Sequence, residues 1–209
     1  MIDATPAAGR ADGRLYAIVL AGGASTRFGS PKQLVRIGGR PLLHTVVARA
    51  AEVTGNALIV VLGAGAGELA PLLRHSPGSV VVNRQWREGL ASSIRAGVAR
   101  LPATCAGAML VLADQAAVTS DDLRRLAGTW RRRPQCIAAA LYAGTSGAPA
   151  IFPRSAFTEL AALRGDSGAR SVLRRSADRV IRVPMPAAEL DLDTPEDLLA
   201  LEPAKSTTP

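Results

Sequence analysis

Six short aliphatic runs alternate with amphipathic segments along this chain, and a layered α/β fold is the arrangement that accommodates such an order. Residues 15–21, 57–62, 79–83, 107–113, 136–142 and 179–184 read as strands. Several are unbroken Val/Ile/Leu runs, the pattern of strands covered on both faces. Residues 41–53, 68–74, 89–101, 120–132, 155–163, 169–176 and 195–201 read as helices. Ser120-Asp121-Asp122 and Thr194-Pro195-Glu196-Asp197 place caps, a proline and acids where helices start. The expectation is one Rossmann-like, three-layer αβα domain over 14–202 with a mostly parallel, mixed central sheet. A disordered N-terminal tail is expected over 1–13 and a polar tail over 203–209. In such folds ligands bind beyond the carboxyl ends of the strands, so functional residues are sought just after each run.

Composition narrows the partners. The 209 residues are 48% apolar, enough for a real core, but only 3% aromatic, which leaves few platforms for stacking nucleic-acid bases. The net charge of +8 comes almost wholly from arginine, scattered apart from Arg131-Arg132-Arg133 and Arg174-Arg175. Scattered charge of this kind reads as a solvated surface, and no nucleic-acid partner is expected. Cys105 and Cys136 form neither a metal pair nor a CxxC motif. The N-terminal segment carries two aspartates and lacks an apolar stretch, so it does not read as a secretory signal. No run approaches the roughly 18 apolar residues that span a bilayer. A cytoplasmic protein without a membrane partner is expected.

The most informative segment follows the first strand: Leu20-Ala21-Gly22-Gly23-Ala24-Ser25-Thr26-Arg27-Phe28-Gly29-Ser30-Pro31-Lys32. Gly22, Gly23 and Gly29 let the backbone turn tightly and bring its N–H groups to phosphate oxygens. Ser25 and Thr26 add hydroxyls. Arg27 and Lys32 supply two cations able to neutralise a triphosphate and its leaving pyrophosphate. Lys32 is the sole lysine before Lys205, which in an arginine-rich chain points to a need for a compact ammonium. The spacing fits neither the P-loop nor the dinucleotide fingerprint. At the end of a later run, Asp114 stands where an acid can hold Mg²⁺. Asp191 and Asp193 alternate, so in an extended segment both point the same way, and one of them could complete the metal site.

The Leu20–Lys32 stretch, with Gln33-Leu34, Gly38, Pro41 and Leu42-Leu43 after it, resembles the signature of the nucleotidyltransferase superfamily of GT-A type. Within it, the molybdenum cofactor cytidylyltransferase and guanylyltransferase group is the most similar. The likeness runs from about residue 15 to residue 201. It implies catalytic roles for Arg27 and Lys32, and nucleotide contacts from Leu20, Ala21, Gly22, Gly23, Ser25, Thr26 and Gly29. It also implies Mg²⁺ at Asp114, Asp191 and Asp193. Asn83, Trp86, Gly89 and Ser93 resemble a further family pattern, which makes Asn83, Gly89 and Ser93 candidate nucleotide contacts. Gly144 and Gly147, with Gly165-Asp166-Ser167-Gly168-Ala169-Arg170, look like acceptor-side loops; Gly144, Gly147, Asp166, Gly168 and Arg170 are the candidates there. The family carries Asp-Gln-Pro where this chain has Asp114-Gln115-Ala116, so a looser loop is expected.

The implied reaction transfers a nucleotide from a nucleoside triphosphate, CTP foremost, to the phosphate of a molybdopterin-type acceptor and releases pyrophosphate. The Ala21-Gly22-Gly23 sequence leans towards GTP. A sugar- or polyol-phosphate acceptor and a non-catalytic nucleotide-binding accessory factor for a molybdoenzyme are the alternatives. A molybdoenzyme or its chaperone is the implied macromolecular partner.

Overall fold

The computed structural model describes residues 13–23, 31–192 and 197. The expected tails, except Gly13, lie outside these residues, as does the expected last helix apart from Asp197. Gly13 packs against Ala106, and the first strand begins at the next residue.

In chain order the elements are β1 (Arg14–Ala21), β2 (Arg36–Ile37), β3 (Arg40–Pro41), α1 (Leu42–Thr54), β4 (Leu58–Leu62), α2 (Ala66–Leu69) and β5 (Ser79–Val82). Then come α3 (Leu90–Val98), β6 (Cys105–Leu112), α4 (Ser120–Arg132), β7 (Ile137–Tyr142), β8 (Thr145–Pro153), α5 (Phe157–Ala161), α6 (Arg170–Arg175) and β9 (Val180–Pro184). Seven strands form one sheet in the order β5-β4-β1-β6-β8-β7-β9. Every neighbouring pair is parallel except β6–β8 and β8–β7. The expected mixed, mostly parallel sheet is therefore present, with β8 as its reversed strand.

Alternation along each aliphatic run divides the core in two. Ala17, Val19, Leu58, Val60, Met109 and Val111 face α1 and α4, where they meet Leu43, Val47, Leu123 and Leu126. Ile18, Leu20, Ile59, Val61, Ala108 and Leu110 face the other way, towards Ile94, Leu160 and Val172 of α3, α5 and α6. The continuous hydrophobicity of β1, β4 and β6 follows directly: neither face meets water.

Helix α4 has the strongest local code. Thr119 accepts a hydrogen bond from the Asp122 amide at 3.1 Å, and Asp122 accepts one from the Thr119 amide at 3.0 Å, a reciprocal capping box. Arg131 and Arg132 occupy its last turn, where cations meet the exposed carbonyls. Strand β8 is the element missing from the expected six. Its Pro149, Pro153 and Gly147 break the aliphatic pattern, and a two-residue turn joins it to β7, with Ala143 and Gly144 both at positive φ. Because β8 is reversed, its first residues share a rim with the carboxyl ends of the other six strands.

Candidate active site

At that rim two oppositely charged side chains meet. The Nζ of Lys32 donates to Oδ2 of Asp114 at 2.7 Å, across 82 positions of sequence. Lys32 opens a short 3-10 turn, Lys32–Leu34, whose middle residue Gln33 is buried. Its Nε2 lies 3.4 Å from both the Ala21 and Gly23 carbonyls, which ties this turn beneath the end of β1. Asp114 follows β6, and the neighbouring Ala113 amide donates to the Leu20 carbonyl at 3.1 Å. The β1 loop and the β6 loop are thus registered by the central strands.

The segment after β9 joins them. The Leu192 amide donates to the Asp114 carbonyl at 3.0 Å, which brings the Asp191 region beside Asp114. Asp191 is exposed and acts electrostatically on Arg170. Asp193 lies outside the described residues, as do Ser25, Thr26, Arg27 and Gly29. The other carboxylate oxygen of Asp114, Oδ1, is buried and has no hydrogen-bond partner among the described residues. An orphaned, buried carboxylate oxygen suits a cation ligand. Among the described residues, no three His, Cys, Asp or Glu side chains gather closely enough to hold an ion alone.

Of the residues assigned to the nucleotide, Leu20, Ala21, Gly22, Gly23, Asn83, Gly89 and Ser93 are among the described ones. Leu20 and Ala21 are the buried end of β1. Gly22 runs against Gly63 and Ser93; a Cβ at Gly22 would come within 2.6 Å of the Ser93 hydroxyl. Gly23 is exposed, with no atom of the described residues within 4 Å of a Cβ built there. Asn83 is buried and spends its side chain inside the protein. Its Nδ2 donates to Ser92 at 2.8 Å and to Ser93 at 3.1 Å, and its Oδ1 accepts from the Gln85 amide at 3.0 Å. Asn83 and Ser93 therefore brace the start of α3 against the Gly22 turn, and both donor positions of the amide are taken.

Gly89, with φ of 94°, is the junction of the two candidate loops. The Ala91 amide donates to the Gly165 carbonyl at 3.1 Å, and Gly168 lies against Leu90. The Gly165–Gly168 loop thus seats on the first turn of α3. Asp166 lies over Gly89, so the two candidate segments form one surface. Gly147 packs on the Tyr142 hydroxyl, which accepts from Nη2 of Arg170 at 3.0 Å, while Gly144 is the open hairpin turn above them. The Tyr142 hydroxyl raises the Arg170 guanidinium above its usual range; burial opposes this, and Asp191 adds to it more weakly.

Three further polar groups shape the rim. Gln115 is the middle residue of the Asp114-Gln115-Ala116 run that stands where the family carries Asp-Gln-Pro, while Arg49 and Tyr142 carry no ligand-binding motif. Nη1 of Arg49 donates to the Ala116 carbonyl at 2.6 Å and to the Val118 carbonyl at 2.8 Å. The Ala116 amide donates to the Asp114 carbonyl at 2.8 Å, a bond a proline could not make. The loop that the missing proline was expected to loosen is instead pinned from both sides.

The strand order, the reversed β8 and the cation–carboxylate pair at the carboxyl rim define a Rossmann-like nucleotidyltransferase domain. The chain belongs to the MobA-like NTP transferase domain family, whose model matches residues 17–180. It is 29% identical over 167 residues to nicotine blue oxidoreductase of Paenarthrobacter nicotinovorans, a match covering 76% of this chain and 80% of that protein. The structure of Rv0371c from Mycobacterium tuberculosis H37Rv in complex with manganese superposes with a TM-score of 0.73 at 30% identity, over 90% of this chain and 97% of that one. Molybdopterin-guanine dinucleotide biosynthesis protein A from Archaeoglobus fulgidus shares the fold, with a TM-score of 0.63 at 17% identity over 90% and 96% of the two chains. A match to the bifunctional protein GlmU of Sorangium cellulosum spans only 26% of that protein.

Proposed function

We propose that this nucleotidyltransferase moves a nucleoside monophosphate from CTP to the phosphate of a molybdopterin-type acceptor and releases pyrophosphate. The observation that carries the proposal is the Lys32–Asp114 pair, an ammonium and a half-orphaned carboxylate placed beside the glycine turn of β1. In this reading Asp114, with Asp191 or Asp193, holds Mg²⁺; that Rv0371c forms a complex with manganese supports a divalent ion in this reading. The ion would neutralise phosphate charge and orient the α-phosphate.

The chain's own residues supply the rest. Lys32 exchanges its Asp114 contact for the polyphosphate and, with Arg27, offsets the charge that builds on the leaving pyrophosphate. Gly22 and Gly23, with Ser25, Thr26 and Gly29, cup the phosphates, and Leu20 and Ala21 form the floor. Gly89, braced by Asn83 through the Ser92 hydroxyl, shapes the base side together with Ser93. Arg170, aligned by Tyr142, receives the acceptor's phosphate, and Gly144, Gly147, Asp166 and Gly168 wall that side. The acceptor phosphate then attacks the α-phosphorus in line, with no covalent intermediate on the protein. The reaction is assigned to the cytoplasm, in keeping with the lack of any membrane-spanning helix among the described residues. A molybdoenzyme or its chaperone would receive the product.

Gly23 favours GTP as the alternative nucleotide, because guanylyl-type members often carry Ala-Gly-Gly. A second reading rests on nicotine blue oxidoreductase, which this chain matches over most of its length: the same glycine turn would hold the pyrophosphate of a nicotinamide dinucleotide. One experiment separates these. The protein is incubated with CTP or GTP, Mg²⁺ and molybdopterin while pyrophosphate is measured, and separately with NADH or NADPH and an electron acceptor. Pyrophosphate release with CTP supports the main reading, and Lys32→Ala is expected to slow it by about 100-fold or more while the fold persists. Near-normal turnover in Lys32→Ala, or coenzyme oxidation without pyrophosphate, defeats it.

A further inference from the structure

Gln115 is among the most buried polar residues of the chain, at 1% exposure, and the reaction outlined above gives it no part. It follows Asp114 directly. Its Nε2 donates to the Ala148 carbonyl in β8 and to the Ala188 carbonyl in the turn after β9, each at 2.9 Å. An amide nitrogen has two hydrogens, and both are used. The two carbonyls also settle which end of the carboxamide is nitrogen, since an oxygen there would face two acceptors.

The consequence is a closed circuit around the acids. Ala188 is held by the Gln115 side chain, and Leu192 is held by the Asp114 carbonyl through its amide. The intervening stretch, which contains Asp191, belongs to no strand. It is therefore pinned at both ends to two consecutive residues of the β6 loop. Arg49 clamps that loop from the other side through Ala116 and Val118. Meanwhile Oε1 of Gln115 is buried without a hydrogen-bond partner among the described residues. A buried, unpaired amide oxygen is a cost that methionine of similar size would avoid, so packing alone does not account for glutamine here.

We propose that Gln115 is a positioning residue: it sets the separation between Asp114 and Asp191, and so tunes the affinity of the site for a divalent cation. The proposal rests on the nucleotidyltransferase reading for the identity of that cation site. Its action is indirect, as with the outer partners that orient metal ligands elsewhere.

The test compares wild type with Gln115→Met, which keeps length and loses both donors, and with Gln115→Glu, which keeps shape and turns the donor pair into an acceptor. Val118→Ala serves as a control, because it removes buried volume from the same loop and leaves the tether alone. The first readout is hydrogen exchange of the 188–192 amides in the free protein. The second is Mn²⁺ binding, by electron paramagnetic resonance, in the presence of α,β-methylene-CTP. In both Gln115 variants the Leu192 amide is expected to exchange about tenfold faster. Mn²⁺ binding is expected to weaken by about 10-fold or more, while metal-free binding of the analogue stays within about twofold. Should Gln115→Met fail to fold, Gln115→Glu carries the same readouts. Wild-type exchange or wild-type Mn²⁺ affinity in a folded Gln115 variant overturns the proposal, as does an equal loss in Val118→Ala. Failure of the wild type itself to bind Mn²⁺ with the analogue sinks the CTP-dependent reading instead, so the two failures are distinct.

Discussion

Replacing Gly89 with alanine tests whether the nucleotide-side and acceptor-side loops are one mechanical unit. At φ 94° and ψ −176°, Gly89 occupies a region that residues with a side chain rarely enter. Holding alanine there costs about 1–3 kcal/mol. The new Cβ would also overlap the Asp166 carboxylate and approach the Gly165 carbonyl carbon and oxygen to 2.7 Å. The carboxylate can swing away, since Asp166 is exposed. The Gly165 backbone can retreat only by stretching the Ala91 amide bond to its carbonyl, now 3.1 Å, and losing that bond adds about 1 kcal/mol. The sum is about 2–4 kcal/mol. At about 2–4 °C per kcal/mol for a domain of this size, the Tm should fall by about 5–15 °C in a calorimetric scan. Hydrogen exchange should quicken across Gly165–Gly168, and the KM for the acceptor should rise more than that for the triphosphate. Adding Asp166→Ala should restore only a minor part of the Tm, because the backbone conflict remains. A Tm within about 2 °C of wild type, with the Gly165 loop exchanging as before, would refute the reasoning.

Three other tests address the capping box of α4 and the two cysteines. Thr119→Ala removes the cap of α4 and should cost about 1 kcal/mol in urea unfolding; no measurable change would show that α4 does not depend on its capping box. Burial alone would raise the Asp122 carboxyl, but the Thr119 amide and hydroxyl, with Arg125, outweigh it and hold it below the ordinary range. A carboxyl lowered in the folded state stabilises above its unfolded pKa, and that contribution is lost as pH falls through the folded value. The stability gap between wild type and Asp122→Asn should therefore be full at pH 7 and shrink below about pH 4; a gap constant with pH would contradict this. Burial pushes the Cys105 thiol up, against the Gly107 and Tyr16 backbone and Arg154, so a thiol reagent at pH 7 should label Cys136 and spare Cys105 until denaturant is added.

The strands were legible because burial on both faces leaves a local mark. The runs at 15–21, 57–62, 107–113 and 136–142 overlap β1, β4, β6 and β7 to within two residues at each end. The helix expected over 120–132 is α4 itself, since its first-turn acids and last-turn arginines are local signals, although its cap is Thr119 and Ser120 is already helical. The single long helix expected over 68–74 is instead α2 and a 3-10 turn, Ala70–Leu73, with Pro71 at the join. Strand β8 escaped because its prolines and glycine mask a run that hydrogen-bonds antiparallel to both neighbours. Within the site, Lys32 and Asp114 stood out from composition and from position after a strand. The inward bonding of Asn83 did not, because nothing local distinguishes an amide that braces a helix from one that meets a base.

Residue order alone thus settles the alternation of strands and helices, the division of the core and the glycine turn, since each depends on periodicity or on neighbours a few positions apart. Sheet order decides the rest. It brings Lys32 within 2.7 Å of Asp114, lays Asp166 over Gly89 and ties Gln115 to Ala148 and Ala188. Such contacts join positions tens of residues apart, and their geometry is set by which strands lie side by side rather than by any local preference of the chain.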